Sequence, residues 1–128
     1  MFKDSNAFSS FSVDDLERAK DFYGNTLGLD VSTEMGVELK LAGGGRLFIY
    51  PKKDHAPASF TVLNFPVDDI DAAVRDLKSK GVSFLSYDGD IETDSDNIFR
   101  GRSKGTGPDI AWFKDPAGNI LSVVRPDR

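Results

Sequence analysis

The side chains in this 128-residue chain that could do chemistry form a short inventory. There is no cysteine, which excludes a thiolate nucleophile, thiolate metal sites and disulfides. The single histidine, His55, lies in the polar connector Lys52–Pro57, where it reads as a solvated loop side chain. Glu34, Glu38 and Tyr50 are candidates for acid–base work, but no two carboxylates stand at a recognisable catalytic spacing. The run Gly43-Gly44-Gly45 looks like a phosphate cradle, yet no Gly-Lys-Ser/Thr follows and no helix opens behind it. It reads as a hairpin turn. Carboxylates alternate from Asp88 to Asp96 as in a calcium loop, but the glycine and the closing glutamate are not at EF-hand positions. That segment reads as a solvated loop or strand edge. The basic residues after it, Arg100, Arg102 and Lys104, suit either a charged lid over a pocket or an ordinary solvated stretch.

Composition narrows the function classes further. Hydrophobic residues at 39% and charged residues at 29% are ordinary for a soluble globular protein. The length suits a single domain with a real core. No apolar run approaches the ~20 residues of a membrane span, and Met1–Asn6 lacks the apolar core of a signal peptide. A cytoplasmic protein without a membrane partner is expected. The formal net charge of −5 argues against nucleic acid as a partner and modestly favours cationic or neutral ligands.

The elements that must position these groups are organised by a phrase that the chain uses twice. Phe11-Ser12-Val13-Asp14-Asp15-Leu16 returns as Phe65-Pro66-Val67-Asp68-Asp69-Ile70. Each copy turns an apolar strand into a helix at a paired aspartate, which can accept hydrogen bonds from the free N–H groups of the first turn. Each helix then runs to a glycine stop, Gly28 and Gly81. Leu16, Ala19, Phe22, Tyr23 and Leu27 recur at helical spacing and predict a core-facing stripe. Ile70, Ala73, Val74 and Leu77 do the same in the second helix. Strands are expected over 6–13, 29–33, 37–41 and 46–50, with a turn near Met35-Gly36. A second set is expected over 59–67, 82–87, 110–113 and 120–124. Residues 88–107 read as one long irregular stretch. The result is one domain, 1–128, built of two modules covering about 5–55 and 57–128.

The doubled unit, the segment Val13 to Tyr23 with Leu27-Gly28, and the late turn Asp115-Pro116-Ala117-Gly118-Asn119 together resemble the vicinal oxygen chelate superfamily. That group contains glyoxalase I, the bleomycin-resistance proteins, the fosfomycin-resistance proteins and the extradiol dioxygenases. The resemblance covers nearly the whole chain. It implies an α+β fold of two βαβββ modules whose mixed sheets curl around a shared cleft, with pairing into a homodimer. Its enzymes hold a divalent metal with histidine and glutamate on equivalent strands. Counted from the shared motifs, those positions are Phe8, Val62, Ser122 and either Phe48 or Tyr50. None is a usual ligand for a divalent ion. The resemblance therefore implies the fold without its metal or any cofactor.

On the strand faces of the vacated positions, alternation places Phe8, Ser10, Phe48, Tyr50, Val62, Asn64, Trp112 and Ser122. They form either a ligand cleft or a plugged core. An open cleft of this kind suits a flat ligand oriented by the polar members of the set. The expected function is metal-independent binding of a small aromatic or cationic molecule, as in the bleomycin-resistance branch. An enzyme of glyoxalase or dioxygenase type, with an atypical metal site or metal-free acid–base chemistry, is the alternative. An interaction module with a vestigial cleft is a third possibility.

Overall fold

The structure, a computed structural model, describes residues 1–34 and 36–127. The chain divides into two compact units, Met1–Pro57 and Ala58–Arg128. Each unit carries a four-stranded mixed sheet with its helix packed on one face, and the fold is α+β.

In the first unit, β1 (Ser9–Val13) leads through α1 (Leu16–Asp21) to β2 (Asp30–Ser32), β3 (Val37–Lys40) and β4 (Arg46–Pro51). The sheet order is β1-β4-β3-β2, with β1 and β4 parallel and the other pairs antiparallel. Asp15 is the helix cap, accepting a bond of 3.1 Å from the Arg18 N–H. Past α1 the chain continues as a π-helical turn over Phe22–Thr26, which keeps Phe22 and Tyr23 on the buried side. Gly28 then takes a φ of 73° and releases the chain towards β2. The core beneath the sheet is Phe11, Val13, Ala19, Phe22, Tyr23, Val37, Leu39, Leu47 and Ile49. These are alternate strand positions plus the helical stripe, and their burial supplies the main stabilising term. The glycine run forms a tight turn in which Gly43 and Gly44 both have φ near 90°, so the turn demands residues without a Cβ. The turn expected at Met35-Gly36 involves Met35, which lies outside the described residues.

The second unit repeats the plan with β5 (Thr61–Pro66), α2 (Ile70–Ser79), β6 (Phe99–Arg100), a short helix α3 (Gly101–Lys104), β7 (Asp109–Lys114) and β8 (Ile120–Arg125). Its order, β5-β8-β7-β6, matches the first. Asp69 caps α2 through the Ala72 N–H at 3.0 Å, just as Asp15 caps α1. The β7–β8 turn is held by Asp115, whose carboxylate accepts bonds from the Ala117 and Asn119 N–H groups at 2.9 Å and from the Asn119 amide at 3.1 Å. Both side chains are buried, so the turn is a closed polar unit.

Two expectations are corrected in this unit. Residues 82–87 are not a strand. They make a single bridge, Phe84 to Phe113, with the Leu85 N–H bonded to the Trp112 carbonyl. Side chains take the partners that a ladder needs: Asn97 bonds the Leu85 carbonyl and Ser86, and Thr93 accepts from the Tyr87 N–H. Nor is 88–107 irregular throughout, since it contains β6 and α3. Gly101 permits that, because a Cβ there would overlap the Pro108 carbonyl oxygen.

Candidate functional site

The register of each sheet fixes which side chains share its open face, the one away from the helix. In the first unit one row crosses all four strands: Ser10, Phe48, Glu38 and Ser32 stand opposite one another in turn. In the second unit the matching row is Asn64, Ser122 and Trp112. Ser10 and Asn64 occupy the same position of the repeated phrase. Phe48 is therefore the counterpart of Ser122, which resolves the choice between Phe48 and Tyr50.

Phe8 is 60% exposed just ahead of β1, with the Arg46 guanidinium 5.7 Å from its ring centre. Phe48 is half-buried, and its ring lies nearly parallel to that of Tyr50 at 6.5 Å. Gly36 makes room for it: with a φ of 88°, a Cβ there would come within 3.2 Å of the Phe48 ring. Ser10 is exposed. In the second unit Val62 sits at a register shift between Thr61 and Leu63, so strict alternation does not apply to it. Ser122 is fully buried and donates to the Asn64 side-chain oxygen at 2.5 Å, which commits its proton to the protein. Trp112 is half-buried between Tyr87 at 5.1 Å, edge to face, and Phe99 at 6.5 Å. Tyr87 and Phe99 were not expected in this cluster, because they belong to the stretch misread as strand and loop.

On the first unit's open face lies a cavity of about 510 Å³, a volume within the range of small-molecule sites. Phe8, Leu47 and Phe48 form its apolar wall, and Ser32, Glu34, Glu38, Lys40 and Arg46 its polar one. Of the eight expected residues, this cavity brings Phe8 and Phe48 together; Ser10 and Tyr50 do not line it. Lys40, Arg46 and Ser32 were missed by sequence reasoning, although the alternation Val37-Glu38-Leu39-Lys40 carries the signal that Lys40 shares a face with Glu38. Arg46 and Glu38 approach to 3.7 Å, a loose pair across β3 and β4.

His55 is not the freely solvated side chain that its connector suggests. It is half-buried, and its Nδ1 lies 2.7 Å from the Ser12 hydroxyl, tying the connector back to β1. The basic stretch also has a definite role. Arg100 makes a two-pronged contact with Asp71 on α2, at 2.7 and 3.1 Å, and a further bond of 2.9 Å to Asp94. The hydrogen bonds from Arg100 hold the Asp71 carboxyl below its ordinary value. Burial pushes Asp94 up, but bonds from Arg100 and from the Ile98 and Asp96 N–H groups outweigh it and leave Asp94 lowered. The Arg100 guanidinium, paired with both, is held well above its ordinary value. Arg100 is a structural clamp rather than a lid.

A divalent metal needs several imidazole or carboxylate donors converging on one point. The equivalent positions offer two aromatic or aliphatic side chains in the first unit, Phe8 and Phe48, and Val62 and a committed Ser122 in the second. Among the described residues no group of three or more His, Cys, Asp or Glu side chains is placed to hold an ion. The residues present do not fit the metal that the resemblance would bring.

The model of the glyoxalase/bleomycin resistance protein/dioxygenase superfamily matches residues 8–123. The chain belongs to that superfamily. Solved structures agree. An antibiotic-binding protein, TnmS3, from Streptomyces sp. CB03234 is 27% identical, with 94% of this chain and 95% of that one covered and a TM-score of 0.60. A glyoxalase/bleomycin resistance protein from the same organism is also 27% identical, over 91% and 98% of the two chains, with a TM-score of 0.56. A glyoxalase/dioxygenase from Nostoc punctiforme is 15% identical over 98% and 92%, with a TM-score of 0.65, a likeness of fold alone. No curated protein matches the chain. No helix among the described residues is long and apolar enough to cross a membrane.

Proposed function

We propose that this superfamily member is a metal-independent binding protein that sequesters a small, flat, aromatic or cationic molecule without transforming it. The observation that carries the reading is Phe8. It occupies a position where the superfamily's enzymes keep a metal ligand, yet at 60% exposure it walls a cavity instead of filling a core. An exposed aromatic ring costs hydration free energy unless something covers it, and a flat ligand would do so. The antibiotic-binding role that TnmS3's name carries supports the same reading. A cytoplasmic homodimer is part of the proposal, and sedimentation velocity tests the pairing.

The test of function is a calorimetric titration in excess chelator, with bleomycin as a cationic glycopeptide and a panel of flat aromatic metabolites. Binding that survives chelation, with the ligand recovered unchanged, supports the proposal. Absence of heat across the panel counts against it.

A second reading, a glyoxalase- or dioxygenase-type enzyme, draws on Glu34 and Glu38, two carboxylates on the wall of the same cavity. Metal analysis of the purified protein separates the two. Stoichiometric zinc, nickel, manganese or iron retained through dialysis would favour the enzyme.

A further inference from the structure

The polar wall of the first unit's cavity is divided by sign. Lys40 and Arg46 stand directly opposite each other on β3 and β4, a cross-strand pair of like charges. Such a pair is unfavourable by itself, and an anion between the two side chains relieves it. Glu38 lies one pleat away from Lys40 on the same face, and Glu34 lies beyond it past the end of β2. Arg46 and Glu38 partly neutralise each other at 3.7 Å. Lys40 and Glu34 have no ion-pair partner among the described residues, although both line the cavity and both are exposed.

The register sets the order of these side chains along the sheet. Lys40 is level with Asp30 on β2 and Glu38 with Ser32, and Glu34 follows in the turn past the end of β2. The two cations therefore stand at one end of the row and Glu34 at the other. Phe8 and Phe48 supply an aromatic wall beside that span. We propose that the cavity takes a flat zwitterion: an aromatic ring with a carboxylate at one end, held by Lys40 and Arg46, and an ammonium at the other, held by Glu34 and Glu38. This rests on the binding reading above and assigns its ligand class.

Four probes test it by calorimetry with the whole chain: 4-(aminomethyl)benzoate, benzylamine, benzoate and phenylalanine. The first carries its charges on opposite ends of the ring; the next two carry one charge each; phenylalanine carries both on one carbon. Each exposed charge contact is expected to contribute up to about fivefold. 4-(Aminomethyl)benzoate should therefore bind about fivefold tighter than any of the other three. Lys40→Gln should lower its affinity towards that of benzylamine, Arg46 still holding the carboxylate, and leave benzylamine unaffected. Glu34→Gln should lower it towards that of benzoate, Glu38 still holding the ammonium, and leave benzoate unaffected. Both side chains are exposed, so neither change disturbs the core, and circular dichroism checks this. Equal affinities for the four probes, or variants that weaken all of them alike, would overturn the charge assignment. No binding of 4-(aminomethyl)benzoate would overturn it too, while the chelator titration with bleomycin judges the sequestering role separately.

Discussion

The two units are built on one plan and spend their residues differently. The first goes from helix to second strand in a few residues, through the π-helical turn and Gly28, and carries a cavity on its open face. The second uses residues 80–98 to cover the same step, and ends in a strand of only two residues, Phe99–Arg100. That detour is fastened by polar contacts: Arg100 to Asp71 and Asp94, and Lys78 to Asn97 at 2.9 Å. Asn97 takes a φ of 67°, a left-handed conformation that asparagine adopts more readily than most residues. The apolar plan and the aspartate caps are thus shared, and the other polar side chains are particular to each unit. In the first unit polar side chains face a cavity; in the second they hold a detour in place.

The largest effect should come from Gly101→Ala, since the new methyl would have to displace the Pro108 carbonyl. A loss of about 3 kcal/mol is expected, read by urea unfolding. Among the described residues the first unit has no counterpart of α3, and Gly24→Ala, whose Cβ would meet only a Val31 methyl at 3.5 Å, should cost under about 1 kcal/mol. Asp115→Ala removes the hydrogen bonds that its carboxylate accepts from Ala117 and Asn119 in a buried turn. About 2–3 kcal/mol should be lost in the same measurement, because buried donors are left unpaired.

Acid should act on the second unit's clamp. Asp71 and Asp94 have folded values below their ordinary 3.8, so the stability they contribute is full above that value. It is lost as pH falls through the lowered folded values. Arg100→Met should flatten this acid limb in a series of unfolding curves between pH 5 and 2, and a limb of unchanged slope would remove Arg100 from its cause. The smallest effects belong to what the units share. Asp15→Ala and Asp69→Ala should each cost about 1 kcal/mol, and nearly equally, since their cap bonds measure 3.1 and 3.0 Å. Unequal losses in thermal unfolding would mean that the two joints are alike in sequence only.

What could be read from the sequence follows the same division. The caps at the paired aspartates, the glycine stops and the Asp115 turn depend on local rules, and the structure has them there, with the second aspartate of each pair, Asp15 and Asp69, as the cap. The helical stripes were legible for the same reason. Residues 82–87 were not, because the side chains of Thr93 and Asn97 take part of their backbone bonding, and such contacts leave no periodicity. Arg100 looked like a lid or a solvated charge because its partners, Asp71 and Asp94, are set by tertiary contact. At the candidate site Phe8 and Phe48 could be placed by counting. Lys40 and Arg46 could not be joined to them until the β3–β4 register across the glycine turn was known.

The account turns on whether the exposed ring of Phe8 and the half-buried ring of Phe48 receive a ligand with no ion to assist. The most direct measurement is the chelator titration repeated on Phe8→Ala, with the recovered ligand examined by mass spectrometry. The account predicts chelator-independent binding to the parent chain, an affinity lowered about tenfold or more in the variant, and a ligand of unchanged mass. Binding that vanishes on chelation and returns with a divalent metal, or a ligand recovered as product, would contradict it.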